Sequence, residues 1–270
     1  MPPGTRSSPR ACPSPSGASS PTARSPSLED ERVRLFIDDC TGWKKVADLI
    51  TDDDGRTQRA LGTLPLGVYE VRFEVMGDQS LAPATIWVVP RGTRVAVFDI
   101  DGTLTSGDGE LIHEVFSDIF FDRYVPQAYP FARDLTLAHE GINYIPIYVT
   151  GRPYWLSFHT RRWLREGGFA LAPLRLTDSN SQALPTTSGV GAYKLAFLQQ
   201  LQQSGLVIDF AYGNASTDIY AYLNAGIAAA RTWIIGKHAG EQGTNGVIGS
   251  WAVRTAEVEA LPPVDQPFVP

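Results

Sequence analysis

The feature that most restricts the fold is a change of pattern near residue 93. From there short apolar runs alternate with segments of helical spacing. Val95-Ala96-Val97-Phe98 reads as a buried strand, and Ile145 to Val149 as a second, with Pro146 weakening its start. Leu174-Arg175-Leu176, Val207 to Tyr212 and Thr232 to Ile235 follow as strands three to five. Helices are expected over about 130–140, over about 153–166 behind Pro153, and over Tyr193 to Gln203. Such alternation implies a parallel sheet with helices on both faces, a Rossmann-like α/β domain expected to cover 93–270.

The residues before it are different. Residues 1–29 are Ser, Pro, Ala, Gly and Arg without period, too poor in apolar surface to offset their ordering entropy, and a disordered tail is expected. Over 30–92, Val33 to Ile37 begins a strand, Tyr69, Val71, Phe73 and Val75 alternate with Glu70, Arg72 and Glu74, and Ala84 to Val89 forms another strand. With turn residues between them, these point to a small all-β sandwich of immunoglobulin-like type.

Composition excludes several classes. The formal charge of −6 gives no support to a nucleic-acid partner. Cys12 and Cys40 make no disulfide framework. No apolar run approaches the ~20 residues of a transmembrane segment, and no secretory signal is evident. A cytoplasmic protein is expected, with peripheral attachment to a membrane as the alternative.

Four features carry chemistry, and in an open parallel sheet ligands sit at the carboxyl ends of strands. Asp99-Ile100-Asp101-Gly102-Thr103 directly follows the first buried strand. Asp99 and Asp101 point the same way, and two such carboxylates repel unless a cation or proton separates them. A hard cation, Mg²⁺, meets that need. Read alone, the pair serves equally as a strand-ending turn. Thr150-Gly151-Arg152 ends the second strand, where a hydroxyl, backbone N–H groups and a guanidinium can hold phosphoryl oxygens. Lys194 lies on the helix before the fourth strand. Gly213-Asn214-Ala215-Ser216-Thr217-Asp218 follows that strand, with Asn214 and Asp218 as hard-oxygen metal ligands or as an Asx turn opening the next helix. The order of the four is more specific than any one.

In these motifs the chain resembles the haloacid-dehalogenase superfamily. Phe98 to Thr103, Ile147 to Pro153 and Tyr212 to Tyr220 are similar to the C-terminal domain shared by lipins and Nir/RdgB proteins, over about 94–240. Lipins are phosphatidate phosphatases. Nir/RdgB proteins are membrane-associated phosphatidylinositol-transfer proteins, in which the first Asp of the pair is typically lost and the domain is thought to bind phosphatidic acid. Here both Asp99 and Asp101 stand, as in lipins.

The resemblance implies a Mg²⁺-dependent phosphomonoesterase, phosphatidate phosphatase-like. Asp99 is then the nucleophile that forms an aspartyl-phosphate, and Asp101 the general acid and base. Mg²⁺ is held by Asp99, the Asp101 carbonyl and Asp218, with Asn214 orienting Asp218 or a metal-bound water. Thr150, Gly151, Arg152 and Lys194 bind phosphate. The alternative is a phosphatidic-acid-binding, lipid-sensing domain with little turnover. The absence of a strongly basic patch to draw the chain to an anionic bilayer counts mildly against a lipid substrate. An aromatic stretch, Phe116 to Tyr124, is either core or a small cap or lipid-facing lip over the site.

Overall fold

The computed structural model describes residues 29–38, 41–53, 55–107, 125–178, 182–184 and 186–266. The tail before residue 29 and the aromatic stretch at 116–124 lie outside them, as do both cysteines. The chain divides into two compact units, one ending at Val89 and one spanning Pro90–Pro267.

The first unit is one antiparallel sheet of β1 (Arg32–Asp38), β2 (Trp43–Ile50), β3 (Gly67–Val75) and β4 (Leu81–Val88), in the order β2-β1-β3-β4. The register pairs Leu35 with Phe73 and Ile37 with Val71. One face thereby collects Leu35, Ile37 and Val71, with Tyr69, Phe73 and Ile86 packed beside them. On strand β3 the alternate residue Arg72 lies on the other face, its guanidinium 4.4 Å from the Trp43 ring centre. The expected two-layer sandwich is corrected here: all four described strands belong to one ladder, leaving none for a second sheet.

The second unit holds six strands: β5 (Arg94–Phe98), β6 (Ile145–Pro153), β7 (Leu174–Thr177), β8 (Val207–Gly213), β9 (Thr232–Ile235) and β10 (Asn245–Val247). All pairs are parallel, in the order β10-β9-β8-β5-β6-β7. Among the described residues five α-helices accompany them: α1 (Ala132–Gly141), α2 (Ser157–Glu166), α3 (Ala192–Gln203), α4 (Ser216–Asn224) and α5 (Ala252–Glu259). Helices α1 and α5 cover the face that presents Ala96, Phe98, Tyr148, Phe210 and Tyr212, through Ala132, Leu135, Trp251 and Val258. Val95 and Val97 alternate with Ala96 and Phe98 and so point to the opposite face, where burial is as complete. Burial on both faces is why these strands read as unbroken apolar runs.

The expected α/β architecture is present, with two adjustments. Strand β6 continues through Pro153, and a 3-10 turn at Tyr154–Leu156 precedes α2, so that helix begins four residues later than its sequence suggests. The β6–β7 register breaks between Val149 and Pro153. Such irregularities re-aim side chains, and this one carries Thr150, Gly151 and Arg152.

The chain builds β5, β6 and β7 outward in one direction, then returns to the other side of β5 for β8, β9 and β10. The reversal falls between β5 and β8, and a crevice forms at the carboxyl ends of strands flanking such a switch.

Candidate active site

Asp99 directly follows β5 and Asn214 directly follows β8, so the switch point brings the first and fourth motifs side by side. The Asp99 amide donates to the Tyr212 carbonyl (2.9 Å), extending the β5–β8 ladder to the motif itself. Gly102 takes φ +76°, and a Cβ there would collide with the Asn214 side chain, so glycine is required twice over. Gly213 is a close approach of another kind: a Cβ would lie 2.6 Å from Asp218 Cβ.

Two adjoining clusters result. In the first, the Lys194 ammonium lies between two buried carboxylates, 2.5 Å from Asp99 Oδ1 and 2.6 Å from Asp218 Oδ1. Thr103 Oγ1 donates to Asp99 Oδ2 at 2.8 Å and lies 3.3 Å from Asn214 Oδ1. Asp218 Oδ2 accepts the backbone N–H groups of Asn214 and Ala215, both at 3.0 Å. The Asx-type role is therefore present on one oxygen, and the other accepts from Lys194. Lys194, a surface charge by its sequence alone, is 3% exposed.

In the second cluster Asp101 is enclosed. Arg152 Nε lies 3.0 Å from both carboxylate oxygens and Nη2 lies 2.7 Å from Oδ1. Thr150 Oγ1 donates to Oδ2 at 3.0 Å. Arg152 is fully buried, and its Nη1 donates to Thr160 Oγ1 on α2 at 3.1 Å. The sequence reading gave Arg152 and Thr150 to phosphate; here their side chains serve Asp101. Gly151 packs against Val190 at the entry to α3, where a Cβ would meet Val190 Cγ2 at 3.0 Å.

Burial pushes the Asp99 carboxyl up to about 7; Lys194 opposes the rise, and the like charges of Asp218 and Asp101 add to it. For Lys194 burial works against the charge, but Asp218 and Asp99 outweigh it and raise the ammonium above its ordinary value. With Asp99 ionised, three carboxylates against two cations leave the combined clusters one negative charge in excess.

That excess and the donor chemistry bear on Mg²⁺. Among the described residues no three His, Cys, Asp or Glu side chains converge as a metal cluster. The Asp101 carboxylate is turned to Arg152, while Asp99 and Asp218, which share Lys194, and the Asn214 amide oxygen stand together at adjoining strand ends. These hard oxygens suit Mg²⁺ in type, and a small all-protein set is usual for an ion that keeps several waters.

The model for the LNS2 domain of PITM 1-3 matches residues 96–236, just over half of the chain. The chain belongs to this LNS2-domain family. The match opens inside β5 and closes one residue past β9, so it contains every site residue named above. Membrane-associated phosphatidylinositol transfer protein 1 of Rattus norvegicus is 30% identical over 220 residues, which are 78% of this chain and 16% of that protein. Protein retinal degeneration B of Drosophila melanogaster is 28% identical over 243 residues, 87% of this chain and 18% of the relative. Membrane-associated phosphatidylinositol transfer protein 3 of Homo sapiens is 29% identical over 220 residues, 78% and 20% respectively. The chain thus spans less than about a fifth of the relatives it matches.

Sequence reasoning missed two residues of the LNS2 site. Thr160 sits on α2 inside an apparent apolar stripe, and its hydroxyl gave no sign of facing Arg152. Trp251 lies beyond the matched span; its Nε1 donates to the Thr103 carbonyl at 2.9 Å.

Proposed function

We propose that this LNS2 domain recognises the phosphomonoester headgroup of an acidic membrane lipid, phosphatidic acid being the best candidate, with little turnover. One observation favours recognition over hydrolysis: both oxygens of Asp101 are occupied, by Arg152 and by Thr150. A general acid must face the leaving group, and both Asp101 oxygens are already engaged as acceptors, from Arg152 and Thr150. Two of the named relatives are membrane-associated phosphatidylinositol transfer proteins, which supports a lipid ligand and peripheral contact with a bilayer. Mg²⁺ held by Asp99 and Asp218, with Asn214, would supply the positive charge that a phosphate dianion needs beside an acidic site. Lys194 fixes the two carboxylates in place, and Thr103 orients Asp99.

The second reading is a Mg²⁺-dependent phosphatase of haloacid-dehalogenase type, with Asp99 as nucleophile. The intact Asp99, buried against Lys194 and Asp218, is the observation in its favour. A vesicle assay separates the two. Phosphatidylcholine vesicles doped with phosphatidic acid should retain the protein in Mg²⁺, Asp99→Asn should weaken retention, and released phosphate should stay at background. Mg²⁺-dependent phosphate release that disappears in Asp99→Asn would establish the phosphatase instead.

A further inference from the structure

We propose that Trp251 is a positioning residue for Asp99, which makes the segment past residue 236 an integral part of the site. The inference rests on the reading that Asp99 meets a phosphoryl headgroup. Trp251 stands at the start of α5, outside the span that matches the LNS2 family. It is fully buried. Its Nε1–H donates to the Thr103 carbonyl at 2.9 Å, and the Thr103 hydroxyl donates to Asp99 Oδ2 at 2.8 Å. The indole therefore reaches the Asp99 carboxylate through a single intervening residue.

Two further contacts fix Trp251 itself. Its backbone N–H donates to the Pro130 carbonyl at 3.0 Å, tying it to the segment that enters α1. Its ring stands edge-on to Tyr212 at 5.6 Å, and the Tyr212 carbonyl receives the Asp99 amide. Trp251 thus touches the residue on each side of Asp99: Thr103 in the motif loop and Tyr212 on the neighbouring strand. That loop is tight, with the amides of Thr103, Leu104 and Thr105 all donating to the Ile100 carbonyl at 3.2, 2.9 and 3.0 Å. A buried carbonyl deprived of its donor turns to find another, and in this loop a turn at residue 103 carries the hydroxyl off Asp99.

The test uses Trp251→Phe and replacement of Trp251 by β-(3-benzothienyl)alanine, which keeps the bicyclic shape and removes the N–H. Phe opens a cavity and lowers the melting temperature on that account; the analogue separates this from loss of the hydrogen bond. Hydrogen exchange at the Thr103, Leu104 and Thr105 amides, measured without ligand, should quicken in both variants. Retention on phosphatidylcholine vesicles doped with phosphatidic acid, in Mg²⁺, should weaken about tenfold, the worth of one hydrogen bond. In a Thr103→Val background the same replacements should cost no further affinity, because the path to Asp99 is already cut. Unchanged exchange in the loop, or a full additional loss on top of Thr103→Val, would overturn the proposal. Failure of the unaltered protein to bind these vesicles would overturn the headgroup reading instead, and loop exchange would then decide the role of Trp251 by itself.

Discussion

Asp99 has an ordinary carboxyl value of about 4 in an unfolded chain, and burial, with Asp218 and Asp101 adding and Lys194 opposing, brings it to about 7 in the fold. Between those values the folded chain holds a proton that the unfolded chain has released. Stability therefore falls as pH rises from about 4 to about 7, and the penalty is complete above that window. Asp99→Asn carries no such term. In the presence of a chelator, the unfolding free energy of Asp99→Asn relative to the parent protein should climb across that window and level off above it. Urea denaturation at a series of pH values measures this, and a flat difference would acquit Asp99 as the source.

Among the elements, α1, β8 and α5 are joined by polar groups inside an otherwise apolar layer. Tyr212 Oη lies 2.6 Å from His139 Nε2 and 3.0 Å from Arg254 Nε. Arginine only donates, so the hydroxyl accepts from Arg254, while the direction of its hydrogen bond with His139 follows the tautomer of the ring. Burial, reinforced by Arg254, holds His139 down to about 3, a neutral ring at any working pH. The guanidinium of Arg254 also lies 3.7 Å from the Trp233 ring centre and pairs with Glu257. Tyr212→Phe strips two buried groups of one partner each and should cost about 2–3 kcal/mol without changing the fold. Chemical denaturation, with circular dichroism as the check on structure, reads both.

This network also marks where the sequence stopped being legible. Five parallel strands and the order of the four motifs were readable because apolar runs and acidic strand ends survive in one dimension. Strand β2 was not, since Lys44 and Lys45 mask its alternation at a sheet edge. Strand β10 is three residues long and contains Gly246. Helix α5 offered a signal: Trp251, Arg254, Thr255 and Val258 share one buried stripe at helical spacing. An arginine in that stripe disguised it, because charge ordinarily marks the wet face. The pairing of Arg152 with Asp101 had no signal at all, as it joins residues that only the adjacency of β5 and β6 brings together.

For the whole molecule, the net charge of −6 sets the terms of any encounter with an acidic bilayer. Among the described residues no helix is long and apolar enough to cross a membrane. General attraction to an anionic surface is unfavourable at that charge, so on the proposed reading the affinity comes from the site. Retention on phosphatidate vesicles should then be lost when Mg²⁺ is chelated. It should change less than about threefold between roughly 0.1 M and 1 M salt, over which the screening length shrinks from about 10 to about 3 Å. Sedimentation with vesicles measures both, and binding that survives chelation but dissolves in salt would point to non-specific charge attraction.

The reversal of strand order at β5 has a consequence for how the site can be taken apart. Everything contributed by residues 90–178 supplies Asp99, Asp101, Thr103, Thr150 and Arg152, and everything contributed by 186–266 supplies Lys194, Asn214, Asp218 and Trp251. Each half thus brings an incomplete set of charges, and the boundary between them runs through the middle of the sheet, along the β5–β8 ladder. On the proposed reading, a single cut between residues 178 and 186 would convert headgroup recognition from a property of one chain into a reassociation of two fragments, with phosphate affinity as the signal that the halves have found each other.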